Sequence, residues 1–182
     1  MATLKVGNQK GKYFDSNSKE DVIHYILQPH KTIHNFYGTF GISVPPGIKS
    51  RQILSEYIAN RMNHISVYFG KSSGVQLHHF IISFSPYELH NPALAYRIAY
   101  ECAGFFAPEY QVVYAVHEDS HHLHIHIVIN SVSYVDGHKY RGSKEEFYEL
   151  KKTFLQVLND YGISKLIYIH NKKSNPLNNN KV

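Results

Sequence analysis

The prediction of the fold starts from one stretch of the chain, Val116-His117-Glu118-Asp119-Ser120-His121-His122-Leu123-His124-Ile125-His126-Ile127-Val128-Ile129-Asn130. From His124 onward, a histidine or a small residue alternates with an apolar one, the period-two pattern of a β-strand with one buried face. His124 and His126 are therefore expected on the same face. Their Cα atoms would lie about 6.6 Å apart, close enough for both imidazoles to reach one metal ion.

The segment before this strand predicts a partner for it. Residues 110–117 indicate a second strand, and the polar residues 118–122 indicate a hairpin loop. If the hairpin is centred between Ser120 and His121, every residue of the two strands is sorted to one of two faces. One face is then wholly apolar and suited to packing, with the cross-strand pairs Val116–Ile125, Tyr114–Ile127 and Val112–Ile129.

The other face of the hairpin carries three histidines. Its pairs are His117–His124, Ala115–His126 and Val113–Val128. Opposed Cβ atoms lie about 5 Å apart and diagonal ones about 7–8 Å, so all three imidazoles can converge on one ion. A lone strand histidine is more often solvated or hydrogen-bonded, but three on one face, with Asp119 nearby as a hydrogen-bond acceptor, predict a metal site. Three neutral imidazoles leave coordination positions open, as in catalytic sites.

Composition indicates one globular domain with an anionic partner. The 182 residues are 43% hydrophobic and include 10 Phe and 15 Tyr, enough for a real core. A net charge of +5 favours nucleic acid as the partner. Cys102 is the only cysteine, which excludes a disulfide framework and a thiolate metal cluster. With no long apolar window and no signal-peptide core, a cytoplasmic protein without a membrane segment is expected.

The rest of the chain predicts alternating helices and strands. Helices are expected over about 19–27, 50–69, 91–106 and 143–161, and further strands over 3–7, 76–84 and 163–170. Residues 29–49, rich in Gly and Pro, are expected to be irregular. Because the central pair is an antiparallel hairpin, the predicted class is α+β, an antiparallel-centred sheet with helices on its apolar face. Residues 171–182 are expected to form a polar tail, disordered or a linker.

The motif His-x-Asp-x-x-His-x-His-x-His-x-x-x-Asn over 117–130 resembles the metal motif of the relaxase, or mobilisation nuclease, family (MobP-like), within the HUH endonucleases. Residues 25–32, Tyr-Ile-Leu-Gln-Pro-His-Lys-Thr, and the Ser-Phe-Ser-Pro of 83–86 are also similar to segments of that family. The chain departs from the family pattern at three positions, none of them a proposed ligand: Glu118, His121 and Ile125. The resemblance implies a five-stranded sheet with the histidines at its centre, and a nuclease domain over 1–170.

The resemblance also implies roles for individual residues. In the family, the tyrosine just before a Pro and a Lys-Thr pair is the nucleophile, a role that falls on Tyr25. The implied metal ligands are His117, His124 and His126, with Asp119 orienting a ligand imidazole. DNA contacts are expected from His30, Lys31, His122 and Asn130. Alternatives stay open for each: His30 and Lys31 could lie in a mobile surface loop, His122 could lie on the same face as the metal ligands, and Asn130 could contact a ligand residue instead of DNA. The expected ion is divalent, with Mn or Mg in use and Zn, Ni or Co also suited to imidazole ligands.

The activity implied by the resemblance is site- and strand-specific nicking of plasmid or integrative-element DNA at a transfer origin, for conjugative mobilisation. Attack by the tyrosine would leave a 5′-phosphotyrosine and a free 3′-hydroxyl, with the metal acting as a Lewis acid. Implied partners are single-stranded and supercoiled DNA, accessory DNA-binding proteins and secretion coupling proteins.

Alternative functions stay open on the sequence. A rolling-circle replication initiator or a single-tyrosine transposase of the same superfamily would use the same ion and another tyrosine, in the transposase one on a late helix, where Tyr148 and Tyr161 lie. A non-catalytic DNA-binding module would keep the fold alone. A metal-dependent hydrolase acting through bound water would leave no covalent protein–DNA adduct.

Overall fold

The computed structural model of the protein describes residues 1–7, 13–119 and 122–169. These residues form, in order, β1 (Ala2–Val6), α1 (Ser18–Ile26), β2 (Thr32–Phe40), α2 (Arg51–Tyr68), β3 (Leu77–Ser83), α3 (Pro92–Gly104), β4 (Val112–Asp119), β5 (His122–Asn130), α4 (Lys144–Asp160) and β6 (Leu166–Ile169). The centre of the predicted hairpin loop, 120–121, and the predicted tail, 171–182, lie outside the described residues. Among the described helices, none is long and apolar enough to cross a membrane.

The six strands form one sheet in the order β2-β4-β5-β3-β1-β6, with β1 and β6 parallel and the other described pairs antiparallel. The predicted α+β class with an antiparallel centre is confirmed. The predicted count of five strands is wrong, because β2 lies within the stretch expected to be irregular. Its pairing with β4 shifts register between Thr32 and Tyr37, so β2 has no continuous alternation that a sequence pattern could reveal.

The central hairpin adopts the predicted register. His117 pairs with His124 and Ala115 with His126, and the apolar pairs follow as expected. Both strands run further than predicted, since Asp119 still pairs with His122. His122 therefore belongs to β5 and, by the alternation of a strand, shares a face with His124.

Helices cover both faces of the sheet, so the prediction of helices on the apolar face alone is incomplete. α3 and α4 pack on the face that carries Ile125 and Ile127 and form the larger core. α1 and α2 pack on the histidine face, over Val113 and Val128. On β5 that face is buried at His126, half-buried at His124 and exposed at His122, so it opens toward the hairpin end.

Three of the four described helices begin with a side chain that caps the helix. Ser50, Asn91 and Ser143 each accept a hydrogen bond from the first turn of their helix, which satisfies an N–H that has no partner within the helix. α1 differs, because the side chain of its N-cap residue, Asn17, makes no capping hydrogen bond.

Lys19 is fully buried between α1 and α2. Its Nζ donates to Ser66 Oγ at 2.7 Å and to the Met62 carbonyl at 3.4 Å. Desolvation by burial, with a smaller contribution from Lys139, lowers the pKa of Lys19 from 10.5 to about 8. Between these two pH values the unfolded chain binds more protons than the folded one at this site. The free energy of unfolding contributed by Lys19 therefore rises with pH across that window.

We expect Lys19→Met to remove this rise and to increase the free energy of unfolding at pH 7 by on the order of 1–2 kcal/mol, because a buried charge is replaced by a side chain of similar length. Urea unfolding of both proteins at pH 7 and at pH 10 measures the difference. If the gap between the two proteins were the same at both pH values, the charge on Lys19 would not be its cause.

Candidate active site

Two of the predicted metal ligands meet on adjacent strands. His117 of β4 is fully buried and His126 of β5 nearly so, with their ring centroids 4.2 Å apart. His124 lies directly opposite His117 on the same face of the hairpin. Three imidazoles therefore lie on one face of two adjacent strands.

Tyr25, in the last turn of α1, lies against these histidines. Its ring centroid is 5.8 Å from that of His117 and 5.8 Å from that of His126, in edge-on contacts. Lys31 Nζ lies 4.2 Å from the centre of the Tyr25 ring. The tyrosine side chain is 38% exposed, so a substrate can reach it from solvent. A tyrosine and histidines that are far apart in the chain thus share one site.

The last carbonyl of α1 holds Tyr25 in this place. The final carbonyls of a helix have no partner within it, and that of Ile26 accepts from His117 Nε2 at 2.8 Å and from Thr32 Oγ1 at 3.0 Å. Because a carbonyl can only accept, His117 carries a hydrogen on Nε2, and in the neutral ring the lone pair is on Nδ1. His117 therefore anchors the residue next to Tyr25, and it can bind a metal only through Nδ1.

Strand β3 contacts the other two histidines. His124 Nδ1 lies 3.3 Å from Ser83 Oγ, and His126 Nδ1 lies 2.9 Å from His79 Nε2. Desolvation lowers the pKa of His126 well below its ordinary value, and His79 and His117 add to the shift. Desolvation by burial also lowers the pKa of His79 to about 4, with a smaller contribution from the nearby His117. Both rings are therefore neutral at pH 7, and neutral imidazole is the form that binds metal ions.

The donor chemistry of this site fits a divalent ion. Three imidazoles on one face are donors that Zn, Ni, Co and Mn accept, and the tautomer of His117 offers Nδ1 for the purpose. Within residues 1–7, 13–119 and 122–169, no three His, Cys, Asp or Glu side chains are already arranged around one point as a metal-binding group. In the structure, Nδ1 of His126 contacts His79, so Nε2 is the nitrogen through which His126 could bind an ion.

The other predicted site residues lie around the opening. His30 is exposed in the turn that follows α1, next to Lys31. His122 is exposed, with its ring centroid 6.4 Å from that of His124. The backbone of Asp119 pairs with His122, and its side chain lies outside what the structure describes.

Asn130 is not part of this site. It lies at the opposite end of β5 and is fully buried. Its Nδ2 donates to the Met62 carbonyl at 3.0 Å and to Gln111 Oε1 at 3.1 Å, and its Oδ1 accepts from the Val132 N–H at 3.4 Å. Asn130 thus ties α2 to the sheet, and its buried side chain does not present the exposed surface that the expected DNA contact requires. Its position in the motif predicts the face of β5 on which Asn130 lies, but not that α2 covers that face.

Two residues of the site are ones that the sequence did not assign to it. Thr32 lies in the stretch expected to be irregular. His79 lies in the strand predicted over 76–84, and no role was assigned to it. The alternation of β3 placed it on the same face as Ser83, which is the one available signal. Only the pairing of β3 with β5 brings it to His126.

Comparison with known proteins gives consistent matches. The family model "Relaxase: MobA/VirD2-like, nuclease domain" matches residues 48–163, which include the three histidines and begin after Tyr25. Two Staphylococcus aureus proteins named "Protein rlx" are 37% and 34% identical to the chain over 109 residues, 60% of this chain. The chain matches 34% of the length of each of these relatives.

A solved structure described as "Molecular Basis of Vancomycin Resistance Transfer in Staphylococcus aureus" has the same fold. The comparison gives a TM-score of 0.55 at 11% sequence identity and covers 88% of this chain and 92% of that chain. At this identity, the likeness concerns the fold alone.

Proposed function

Because the chain belongs to the family of MobA/VirD2-like relaxase nuclease domains, we propose that it nicks one DNA strand at the transfer origin of a plasmid or an integrative element, for conjugative mobilisation. The observation that carries the proposal is the contact of Tyr25 with His117 and His126, which puts a candidate nucleophile beside candidate metal ligands. The family match does not include Tyr25, so this contact is independent support.

Tyr25 is the proposed nucleophile. Its phenolic oxygen attacks the phosphorus of the scissile phosphodiester, the bond from phosphorus to the 3′-oxygen breaks, and the products are a 5′-phosphotyrosine and a free 3′-hydroxyl. The phenol loses its proton and the departing 3′-oxygen takes one up, so protons balance and no oxidant or water is consumed. One phosphodiester replaces another, so the step can run backward and rejoin a strand.

The proposed metal ligands are His117, His124 and His126, with Mn or Mg as the ion in use and Zn, Ni or Co also suited to the donors. When bound, the ion supplies a Lewis acid that stabilises negative charge developing on the phosphate. His117 has a further task, because its hydrogen bond to Ile26 keeps Tyr25 over the site. Asp119 is proposed to orient one of the imidazoles.

Positive and aromatic groups around the opening suit a DNA strand. Lys31 adds a positive charge next to the Tyr25 ring, where the phosphate must approach, and the exposed His30 and His122 can contact the same backbone. The net charge of +5 adds long-range attraction for a polyanion. Single-stranded and supercoiled DNA in the bacterial cytoplasm are the proposed substrates, and accessory DNA-binding and secretion coupling proteins the proposed partners.

The late-helix tyrosines lie on the wrong side of the sheet for this chemistry. α4 packs on the apolar face through Leu150 and Phe154, whereas the histidines point to the other face. Tyr148 is exposed on that helix, and the hydroxyl of Tyr161, just after it, bonds to Glu101. This placement favours Tyr25 over a transposase-like nucleophile.

The test uses single-stranded oligonucleotides from the transfer region of the element, labelled at one end, with Mn²⁺ or Mg²⁺ and a denaturing gel. A 3′-end label should move with the protein and be released by protease, because the fragment downstream of the nick carries the 5′-phosphotyrosine. A 5′-end label should appear in a shorter, protein-free strand that a polymerase can extend. A chelator should abolish both products. Cleavage without an adduct would indicate attack by water, and DNA binding without cleavage would indicate a binding module; either result contradicts the proposal.

A further inference from the structure

A line of hydrogen-bonded side chains continues from His126 through β3 to Tyr13. His79, which is 5% exposed, places Nε2 2.9 Å from His126 Nδ1. On its other side, His79 Nδ1 lies 3.3 Å from the hydroxyl of Tyr13. The proposed ligand is therefore the end of a Tyr13–His79–His126 chain, which the proposed chemistry does not use.

The backbone holds this chain in place. The Gly7 N–H donates to the His79 carbonyl at 2.7 Å. A Cβ atom at Gly7 would lie 2.9 Å from the Tyr13 hydroxyl and 3.3 Å from His79 Cβ, closer than side chains normally approach. His79 is also held by its strand pairing opposite Val128. Close backbone packing and sheet pairing thus restrict where the His79 ring can lie.

The hydrogen between the two imidazoles decides whether His126 can bind an ion. His126 Nδ1 and His79 Nε2 share one hydrogen, which only one of the two rings supplies. If His79 supplies it, neutral His126 carries its own hydrogen on Nε2 and has no lone pair for a metal there. If His126 supplies it, Nε2 has the lone pair, and His79 in turn donates from Nδ1 to the oxygen of Tyr13.

We propose that His79 is a positioning residue that accepts the Nδ1 hydrogen of His126 and so directs the Nε2 lone pair of His126 to the divalent ion. The inference rests on the proposed function, in which His126 is a ligand. His79 takes the place that a carboxylate or a backbone carbonyl has behind many metal-binding histidines. Tyr13 completes the arrangement by accepting from His79. His79 itself does not touch the ion or the DNA.

Two variants separate this role from simple packing. His79→Leu fills the space of the imidazole with an apolar side chain and removes the acceptor for His126 Nδ1. In His79→Gln, by contrast, the side-chain amide can present an oxygen near the position of Nε2. We expect the Mn²⁺ dissociation constant of His79→Leu, measured by titration calorimetry, to rise by about 10- to 100-fold, and His79→Gln to recover most of this loss.

The matched control is His78→Leu. His78 is the neighbouring residue on β3, and its ring lies on the other face of the sheet, where Nε2 donates to the Tyr140 carbonyl at 3.1 Å. This change removes an imidazole and a buried hydrogen bond of similar kind. Its Mn²⁺ affinity should stay within about twofold of the wild-type value, since it shares no partner with the site.

A second measurement needs neither metal nor a variant. Long-range ¹H–¹⁵N correlation spectra of the metal-free wild-type protein distinguish the two neutral tautomers of each histidine, and His126 should carry its hydrogen on Nδ1. A hydrogen on Nε2 of His126 would overturn the inference, as would unchanged Mn²⁺ affinity in His79→Leu. Wild-type protein that binds no Mn²⁺ or other divalent ion would instead contradict the metal site of the proposed function, while the spectra still decide the tautomer.

Discussion

Tyr25→Phe is expected to abolish the covalent DNA adduct and to slow strand nicking by about 1,000-fold or more, because it removes the nucleophilic oxygen itself. The ring stays, and with it the contacts to His117, His126 and Lys31. Stability and DNA affinity should therefore remain near the wild-type values. Single-turnover nicking of a 3′-labelled oligonucleotide, with urea unfolding and a DNA-binding titration alongside, measures all three quantities.

Tyr148→Phe is the matched control for this prediction. Tyr148 is 61% exposed on α4, on the opposite side of the sheet, so losing its hydroxyl should leave both adduct and nicking unchanged. An adduct that persists in Tyr25→Phe and disappears in Tyr148→Phe or Tyr161→Phe would assign the nucleophile to the late helix. Loss of the adduct with nicking retained in Tyr25→Phe would point to water as the attacking group.

His117→Ala is the second change with a large expected effect, because it removes two functions at once. The loss of a proposed ligand should weaken Mn²⁺ binding by about 100-fold or more. The loss of the 2.8 Å hydrogen bond to the Ile26 carbonyl should lower the free energy of unfolding of the metal-free protein by about 1–3 kcal/mol. Thr32 still donates to that carbonyl, which keeps the stability effect at the lower end of this range.

His117→Gln separates the two functions. The glutamine amide can still donate to Ile26 but has no imidazole nitrogen to offer an ion. We therefore expect it to lose Mn²⁺ binding as His117→Ala does, with the free energy of unfolding within about 1 kcal/mol of the wild-type value. Calorimetric titration with Mn²⁺ and urea unfolding without metal give the two readouts. Wild-type metal affinity in either variant would remove His117 from the ligand set.

The hairpin was predictable because its information is local. Period-two alternation assigns each residue to a face. Centring the predicted loop 118–122 between Ser120 and His121 then gives the register that the structure has, with His117 opposite His124. Helix caps such as Ser143 are local in the same way, because a side chain binds the N–H of its own first turn.

Local sequence patterning is enough to assign the two faces of the hairpin, and with them the three histidines that share one face. Tertiary packing decided which part of that face is buried, because α1 and α2 cover one end of it and leave the other open. It also decided that Tyr25 lies over His117, that His79 meets His126 and that Asn130 is inaccessible. Each of these contacts joins segments distant in the chain. Such contacts depend on how the helices pack on the sheet and on the order of its strands. Neither produces a periodic pattern of apolar residues that could be recognised in the sequence.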